Sequence, residues 1–305
     1  MNTTTSASRL LRMFALPVLT AGICLAGTAR ASVILNETFP ANQRLTQDWP
    51  ATSTWYVSGL GSGSVEDSTA GALRIAGASN TWTTLTYFTG SASPATLGVG
   101  DSLKLTLSFE VQKQATSGDN TLRIALLNSG GKRLSADATA SQIATFSAYT
   151  GYYVNVRPTL PDDSSATFGL SKRTGTSNYL LTSAYTTVPA SSGGGTTASS
   201  SNSLKPDTLY SFEVTYTRTS ANALNVSVAM SGAGLDNYTY AFNDTSSPFT
   251  AFDTFAIGST NGTTFNSVTL HSLGITLTSI PEPGVTGAVL GGGGLVAFLL
   301  IRRRH

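Results

Sequence analysis

The sequence predicts an all-β protein in which two antiparallel sheets pack as a jelly-roll β-sandwich, between an N-terminal signal helix and a C-terminal transmembrane helix. Three observations lead to this class. Apolar and polar residues alternate with a period of two through most of the chain, Gly- and Asn-containing turns separate the alternating segments, and no amphipathic helical pattern stands out between the two ends. Strands that bury one face each are typical of two packed sheets.

Segment 102–112, SLKLTLSFEVQ, is the clearest strand. Its apolar residues lie two positions apart and therefore project from one face of a strand: Leu103, Leu105, Leu107, Phe109 and Val111. Segments 210–218 and 224–230 repeat the alternation. Further strands are predicted at 73–75, 82–88, 122–127, 152–156, 255–257 and, with an interruption, 265–277.

The charge of the chain excludes one class of function. Hydrophobic residues make up 40% of the 305 residues and charged residues 11%, so a core can form. The formal net charge is +2, but six arginines lie in the terminal segments. Without them and Glu282 the body has 12 basic and 15 acidic residues, a net charge of −3. A mildly acidic body offers no basic patch for phosphates, so nucleic acid is not an expected partner.

The N-terminus has the order of a secretory signal peptide. Arg9 and Arg12 precede the apolar run 13–27, and the small residues Ala29 and Ala31 follow it. We therefore expect transport by the Sec machinery and cleavage by signal peptidase after Ala31, with a buried N-terminal helix as the alternative. Cys24, the sole cysteine, lies inside this signal, so the mature protein should contain neither a thiol nor a disulfide.

The C-terminus combines three features in a fixed order. Pro281, Glu282 and Pro283 form an extended segment that neither strand nor helix can absorb, because proline fixes φ and lacks an N–H. Residues 284–301 are an uncharged run of 18 residues, the lower limit for a membrane span. The basic residues Arg302, Arg303 and Arg304 end the chain before His305 and would remain on the cytoplasmic side.

These last 26 residues resemble the PEP-CTERM sorting signal of Gram-negative bacteria. The resemblance implies that a membrane-embedded exosortase recognises Pro281, Glu282 and Pro283, removes the tail after transient insertion in the inner membrane, and passes the protein to the cell surface or extracellular matrix. An ordinary single-span anchor that is never cut is the alternative. The predicted division is thus a signal peptide at 1–31, a sandwich at 32–278 and a sorting segment at 279–305.

Two stretches of the body resemble concanavalin A-like and laminin G-like jelly rolls: LKPDTLYSFEVTYTR at 204–218 and FDTFAIGSTNGTTFNSVTLHSLGITL at 252–277. Tyr210 stands where those families often have Trp. The resemblance implies the same fold that the alternation predicts. The intervening stretch 190–203, ASSGGGTTASSSNS, is predicted to be a long loop within one domain, with an interdomain linker as the alternative.

The body contains few candidate catalytic residues. His271 lies in a predicted strand, where a structural role is expected, and no catalytic residue is predicted. Laminarinase-like members of the concanavalin A fold use closely spaced carboxylates. Only four glutamates occur in the body and none forms such an arrangement: Glu37, Glu66, Glu110 and Glu213. The protein is therefore expected not to be an enzyme.

No cofactor is predicted, although acidic loops could bind a structural Ca²⁺. These loops contain Asp119 and Asn120, Asp162 and Asp163, Asp236 and Asn237, and Asn243 and Asp244. Aromatic rings are the other candidates, because a flat ring can stack on a sugar. They are Trp55, Tyr56, Trp82, Tyr152 and Tyr153, with core packing as the alternative. Adjacent Tyr152 and Tyr153 must point to opposite faces, so we expect at least one to be exposed.

These observations favour an exported, non-enzymatic surface or matrix protein that binds extracellular polysaccharide. A carbohydrate-active enzyme of concanavalin A-like fold, a hydrolase or lyase, is the first alternative. A purely structural matrix protein is the second.

Overall fold

The computed structural model describes residues 28–59, 64–69, 71–76, 81–113, 122–156, 168–193, 204, 206–233, 238–259 and 265–280. The folded body is one compact unit that spans Ala29–Ile280. The predicted signal helix, the transmembrane segment 284–301 and the Pro-Glu-Pro motif lie outside the described residues. Within these ranges the structure contains no helix that is long and apolar enough to cross a membrane.

Nine strands form the first sheet, and all of its pairs are antiparallel. The strands are β1 Arg30–Glu37, β3 Ser64–Thr69, β4 Ala72–Ala76, β7 Ser102–Lys113, β12 Ala190–Gly193, β13 Tyr210–Ser220, β14 Ala223–Ser231, β15 Tyr238–Asp244 and β18 Phe265–Ser279. Their spatial order is β12-β15-β14-β13-β7-β18-β4-β3, and β1 also pairs with β18.

Seven strands form the second sheet, also antiparallel, in the order β11-β10-β9-β8-β17-β5-β2. They are β2 Trp55–Ser58, β5 Trp82–Tyr87, β8 Leu122–Asn128, β9 Thr150–Val156, β10 Gly169–Arg173, β11 Tyr185–Val188 and β17 Thr254–Ser259. The short strands β6 Ala95–Thr96 and β16 Ala251–Phe252 pair with each other, and one 3₁₀ helix, η1, covers Ala144–Ala148. The predicted all-β, two-sheet jelly-roll class is confirmed.

The inner faces of the two sheets meet in one large core. The five apolar residues of segment 102–112 all belong to it and are at most 1% exposed. The apolar positions of β13 and β14 are buried in the same way. Burial of each such side chain contributes roughly 1.5–3 kcal/mol, so the alternating residues of these strands are the main source of stability for the sandwich.

The long strand β18 explains the predicted interruption within 265–277. Its pairing with β7 shifts register between Phe265 and Ser267 and again between Leu270 and Ser272. The second irregularity leaves His271 as the extra residue of a β-bulge, which turns its side chain toward Glu110. The bulge changes the residue that faces the core, so a strict period of two cannot continue through it.

The Gly- and Ser-rich stretch begins as a strand. Ala190–Gly193 forms β12 at the edge of the first sheet, so the prediction of a loop is wrong for these four residues, and 194–203 lies outside the described residues. β11 and β12 are separated by one residue yet belong to different sheets, so the chain closes the sandwich along this side. Strands from both sides of the stretch share one sheet, because β7 lies between β13 and β18.

A second apolar cluster covers the outer face of the second sheet. Phe146 and Tyr149 lie on residues such as Leu85 and Leu127, which project away from the main core. Arg173 fixes this cover although it is 1% exposed. Its guanidinium donates to the carbonyl oxygens of Phe146, Ser177, Tyr179 and Leu180 at 2.6–3.0 Å. The cation thus ties two loops to the end of β10.

Candidate functional site

Four of the five aromatic residues predicted as sugar-stacking candidates are buried. Trp55, Trp82 and Tyr152 belong to the core between the sheets and are at most 1% exposed. Tyr153 is 6% exposed, and Tyr56 is half-buried. A ring that stacks on a sugar needs an open face, so the structure corrects the expectation for these four residues in favour of core packing.

The adjacent residues Tyr152 and Tyr153 do point to opposite faces of the second sheet, as their spacing predicts. The expectation that one of them is exposed is wrong. Tyr153 lies under the outer cover, with its ring 4.4 Å from that of Tyr185 and 4.8 Å from the guanidinium carbon of Arg123. Strand alternation predicts the face of a side chain but contains no information about a distant loop that covers this face.

Among the glutamates that the structure describes, Glu37 is the most deeply buried, at 1% exposed. Its carboxylate accepts hydrogen bonds from Phe39 N, Thr52 Oγ1, Ser53 N, Ser53 Oγ and Trp55 Nε1 at 2.7–3.4 Å. These donors belong to the segment between β1 and β2 and to Trp55, the first residue of β2. The contacts indicate that Glu37 organises this segment, since a buried carboxylate is stable only when its oxygens are hydrogen-bonded.

Two further glutamates lie on the outer face of the first sheet. Glu213 pairs with Lys104 at 2.6 Å, and Glu110 lies 3.4 Å from His271. Thr106 is the register partner of Glu213, and Glu110 follows four residues later on the same strand. The two glutamate backbones are therefore about 14 Å apart by strand geometry, and their carboxylates have different partners, Lys104 and His271.

Asn243 and Asp244, predicted to lie in an acidic loop, are instead the last two residues of β15, and Asp244 forms an ion pair. Asp244 is 4% exposed, lies 2.8 Å from Lys172 Nζ and accepts hydrogen bonds from Tyr152 Oη at 2.6 Å and Ser246 N at 2.9 Å. Burial alone would raise the pKa of Asp244, but hydrogen bonds from Lys172, Tyr152 and Ser246 together lower it.

A cation therefore already occupies the position that a Ca²⁺ would need beside Asp244. The other three acidic loops lie outside the described residues. Among the residues that the structure places, no group of three acidic, His or Cys side chains could hold a metal ion.

A shallow trough of about 300 Å³ crosses the outer face of the first sheet. Small side chains from the three strands β12, β15 and β14 form its floor, and Glu213 of the neighbouring β13 lies in its wall: the outward-facing floor residues are Ser192, Ser227, Ala229, Thr239 and Ala241. Three interstrand gaps of about 4.8 Å give it a length of about 14 Å. The sequence shows these residues only as the polar face of strands, because their common surface depends on the pairing of β12 to β15.

The two ends of the folded body lie side by side. β1 pairs with the end of β18, so that Ala31 is opposite Thr278 and Arg30 is opposite Ser279. Ala29, Arg30 and Ala31 are exposed. Ile280, the last described residue, donates its N–H to Asp101 Oδ1 at 2.8 Å. The sequence indicates Asp101 only as part of a turn, since its contact with Ile280 spans 179 residues.

The remaining residues of the predicted sorting signal lie outside the described residues. They are Pro281, Glu282, Pro283, Arg302, Arg303 and Arg304.

No protein-family model and no curated protein matches the chain. Solved structures with a similar course of the chain include peanut lectin with a nine-residue peptide, at 12% identity and a TM-score of 0.43, covering 84% of this chain and 99% of the lectin. The exoplasmic/lumenal domain of VIP36 with Ca²⁺ and mannose gives 11% identity and a TM-score of 0.45, covering 83% and 99%.

A carbohydrate esterase from the Shiga toxin-encoding bacteriophage phi24B gives 13% identity and a TM-score of 0.42, covering 82% of this chain and all of the esterase. The assignment of the two-sheet sandwich does not depend on these likenesses. It follows from the strand order and pairing of this chain itself.

Proposed function

We propose that this protein is a non-enzymatic component of the cell surface or extracellular matrix of a Gram-negative bacterium, exported through the Sec machinery and sorted by an exosortase. Signal peptidase cuts after Ala31. Exosortase recognises Pro281, Glu282 and Pro283 and removes the segment that contains 284–301 and the three final arginines.

The position of the folded body carries this proposal. The compact unit spans Ala29–Ile280, so it ends at the residue before Pro281 and begins three residues before the proposed cut after Ala31. Processing at both places would leave almost all of the sandwich in place, because only Arg30 and Ala31 at the start of β1 lie outside the two cuts. A body that stays folded after both cuts is what a sorted surface protein requires.

The intact mass of the protein recovered from the surface of an exosortase-containing host tests the sorting step. We expect a mature form that begins at Ser32 and lacks the three final arginines. A variant with Pro281, Glu282 and Pro283 all replaced by Ala should keep the chain to His305. The replacement of Pro206 and Pro248 by Ala is a matched control that leaves the motif intact. A wild-type protein that still ends at His305 would contradict the proposal.

We further propose that the trough on the outer face of the first sheet retains the protein on extracellular polysaccharide. Its hydroxyl-bearing floor can hydrogen-bond sugar hydroxyls, and its small side chains leave room for an extended glycan chain. Glu213 is paired with Lys104 and Glu110 lies beside His271, so each carboxylate has a partner of its own, which supports binding without hydrolysis. The trough replaces the buried aromatic residues as the candidate surface.

Retention of the mature form on immobilised curdlan and on immobilised alginate tests the binding step. Ser227→Arg fills the trough and should reduce retention by about tenfold. Ser272→Arg adds the same charge to the same sheet face outside the trough and should bind like the wild type. Equal retention of both variants would overturn the trough as the site. Retention of neither polysaccharide would favour the purely structural role, and release of reducing sugar would favour the enzyme.

A further inference from the structure

The end of β18 is held by a side chain from a distant turn. Asp101 is 8% exposed, and its two carboxylate oxygens accept different backbone N–H groups. Oδ1 accepts from Ile280 at 2.8 Å and Oδ2 accepts from Gly98 at 2.8 Å. Hydrogen bonds to an ionised carboxylate are roughly twice as strong as those between neutral groups. Asp101 therefore fixes Ile280 against the sandwich.

The turn that contains Asp101 is itself anchored to β13. Gly100 N donates to Arg218 O at 2.7 Å, Arg218 N donates to Asp101 O at 3.0 Å, and an Arg218 guanidinium N–H donates to Leu97 O at 2.8 Å. Gly100 has φ = +93°, and a Cβ at this position would lie 3.2 Å from Ile280 Cδ1. The turn thus packs closely against the last described residue.

Removal of the signal peptide takes away the strand pairing of Ser279, the residue before Ile280. In the ladder with β7 the last pair of β18 is Thr278 with Ser102, and beyond it Ser279 pairs only with Arg30. Cleavage after Ala31 removes Arg30. Among the described contacts, the hydrogen bond from Ile280 to Asp101 is then the last one that holds the backbone beyond Thr278.

We propose that Asp101 is a positioning residue for exosortase cleavage, because it sets how far the Pro-Glu-Pro motif can extend from the sandwich. This inference rests on the proposed sorting function. The motif begins directly after Ile280. The folded body must therefore lie close to the membrane enzyme whenever the enzyme binds the motif. Release of Ser279 and Ile280 would lengthen the free chain by about 7 Å. Loss of the contact should therefore accelerate removal of the tail.

Two variants of the full chain lengthen the free segment before Pro281 by different means. Asp101→Asn replaces one acceptor oxygen by an amide that cannot accept from a backbone N–H, so it cannot satisfy both Ile280 and Gly98. Insertion of Gly-Ser between Ile280 and Pro281 leaves Asp101 intact and adds two residues to the free chain. Asp137→Asn is the matched control, since Asp137 accepts the N–H of Val57 in the other sheet.

A pulse-chase experiment in an exosortase-containing host, read by intact mass, measures the half-time of tail removal. We expect both variants to shorten it by about twofold or more relative to the wild type and to the control, because reach governs an intramolecular encounter. If the wild type loses its tail and both variants lose it with the same half-time, the inference about Asp101 is overturned while the proposed sorting function stands. A wild type that keeps its tail would overturn the proposed sorting function and this inference with it.

Discussion

Glu37 is a buried carboxylate whose donors among the described residues are all neutral groups. The charge organises the segment between β1 and β2, because each of its oxygens accepts at least one hydrogen bond. A glutamine side chain has the same shape but cannot reproduce this arrangement, because its NH₂ group would face N–H and O–H groups that need an acceptor.

Glu37→Gln should therefore lower the free energy of unfolding by about 2 kcal/mol. Urea denaturation followed by tryptophan fluorescence is a suitable measurement, because Trp55 contacts this carboxylate. Glu110→Gln removes a carboxylate from a half-buried surface position and should change the stability by less than about 1 kcal/mol. Equal losses in the two variants would contradict the proposed role of Glu37.

Asp244 makes the stability of the sandwich depend on pH. Its pKa is lower in the folded state than in the unfolded state, so the unfolded chain takes up the proton first as the pH falls. Its stabilising contribution is complete above the unfolded pKa of about 3.9 and is lost as the pH falls through the lower folded pKa.

The thermal midpoint of the wild type should therefore exceed that of Asp244→Asn at pH 7, and the difference should shrink below about pH 4. Asp137→Asn removes a more exposed carboxylate that pairs with Arg44 and serves as the control. A difference between wild type and Asp244→Asn that is constant from pH 7 to about pH 2.5 would contradict the assignment.

At the scale of elements, one buried cation ties the outer cover of the second sheet to β10. Arg173 lies at the end of β10 and donates to four carbonyl oxygens in two loops. Its guanidinium carbon also lies 5.4 Å from the ring of Tyr185, and burial raises the pKa of that tyrosine to about 12. Without this cation the carbonyl oxygens of Ser177 and Tyr179 would lose their charged donor. Those of Phe146 and Leu180 would each keep one neutral donor, Tyr149 N and Tyr185 Oη.

Arg173→Met should lower the free energy of unfolding by at least about 3 kcal/mol and increase proteolysis within 134–149 and 174–185. Limited proteolysis with mass mapping locates the change. Arg74→Met is the matched control, since Arg74 forms an exposed pair with Glu66 and should cost less than about 1 kcal/mol. Cleavage sites unchanged from the wild type would show that the loops do not depend on Arg173.

At the scale of the whole molecule, β7 connects the two halves of the chain. It pairs with β13 on one side and β18 on the other, although both partners follow the Gly- and Ser-rich stretch. The halves on either side of that stretch therefore share one sheet and one core.

Residues 32–193 and residues 204–280, expressed separately, should each fail to unfold cooperatively, because each would expose the faces and edges that meet the other. Calorimetry of each fragment, with intact 32–280 as the reference, is the measurement. A cooperative transition in either fragment alone would indicate two domains and support the linker interpretation.

The sequence by itself determined which face of each principal strand is apolar. Alternation is a local property, since successive side chains of a strand point to opposite faces, and it identified the buried residues of β7, β13 and β14. It also predicted the interruption within 265–277, although not that this interruption is a β-bulge at His271. The order of charged, apolar and small residues at the chain ends is local in the same sense, and it predicts sorting from the printed sequence alone.

The tertiary structure alone decided what covers each outer face and which partner each charged group has. Tyr153 is buried by loops that follow it or precede it, Asp244 meets Tyr152 across 92 residues, and Asp101 meets Ile280 across 179. Such contacts depend on strand order and on the course of loops, which no local pattern specifies. For this reason four of the five aromatic candidates proved to be buried, while the trough of Ser, Ala and Thr side chains lies open on the outer face of the first sheet.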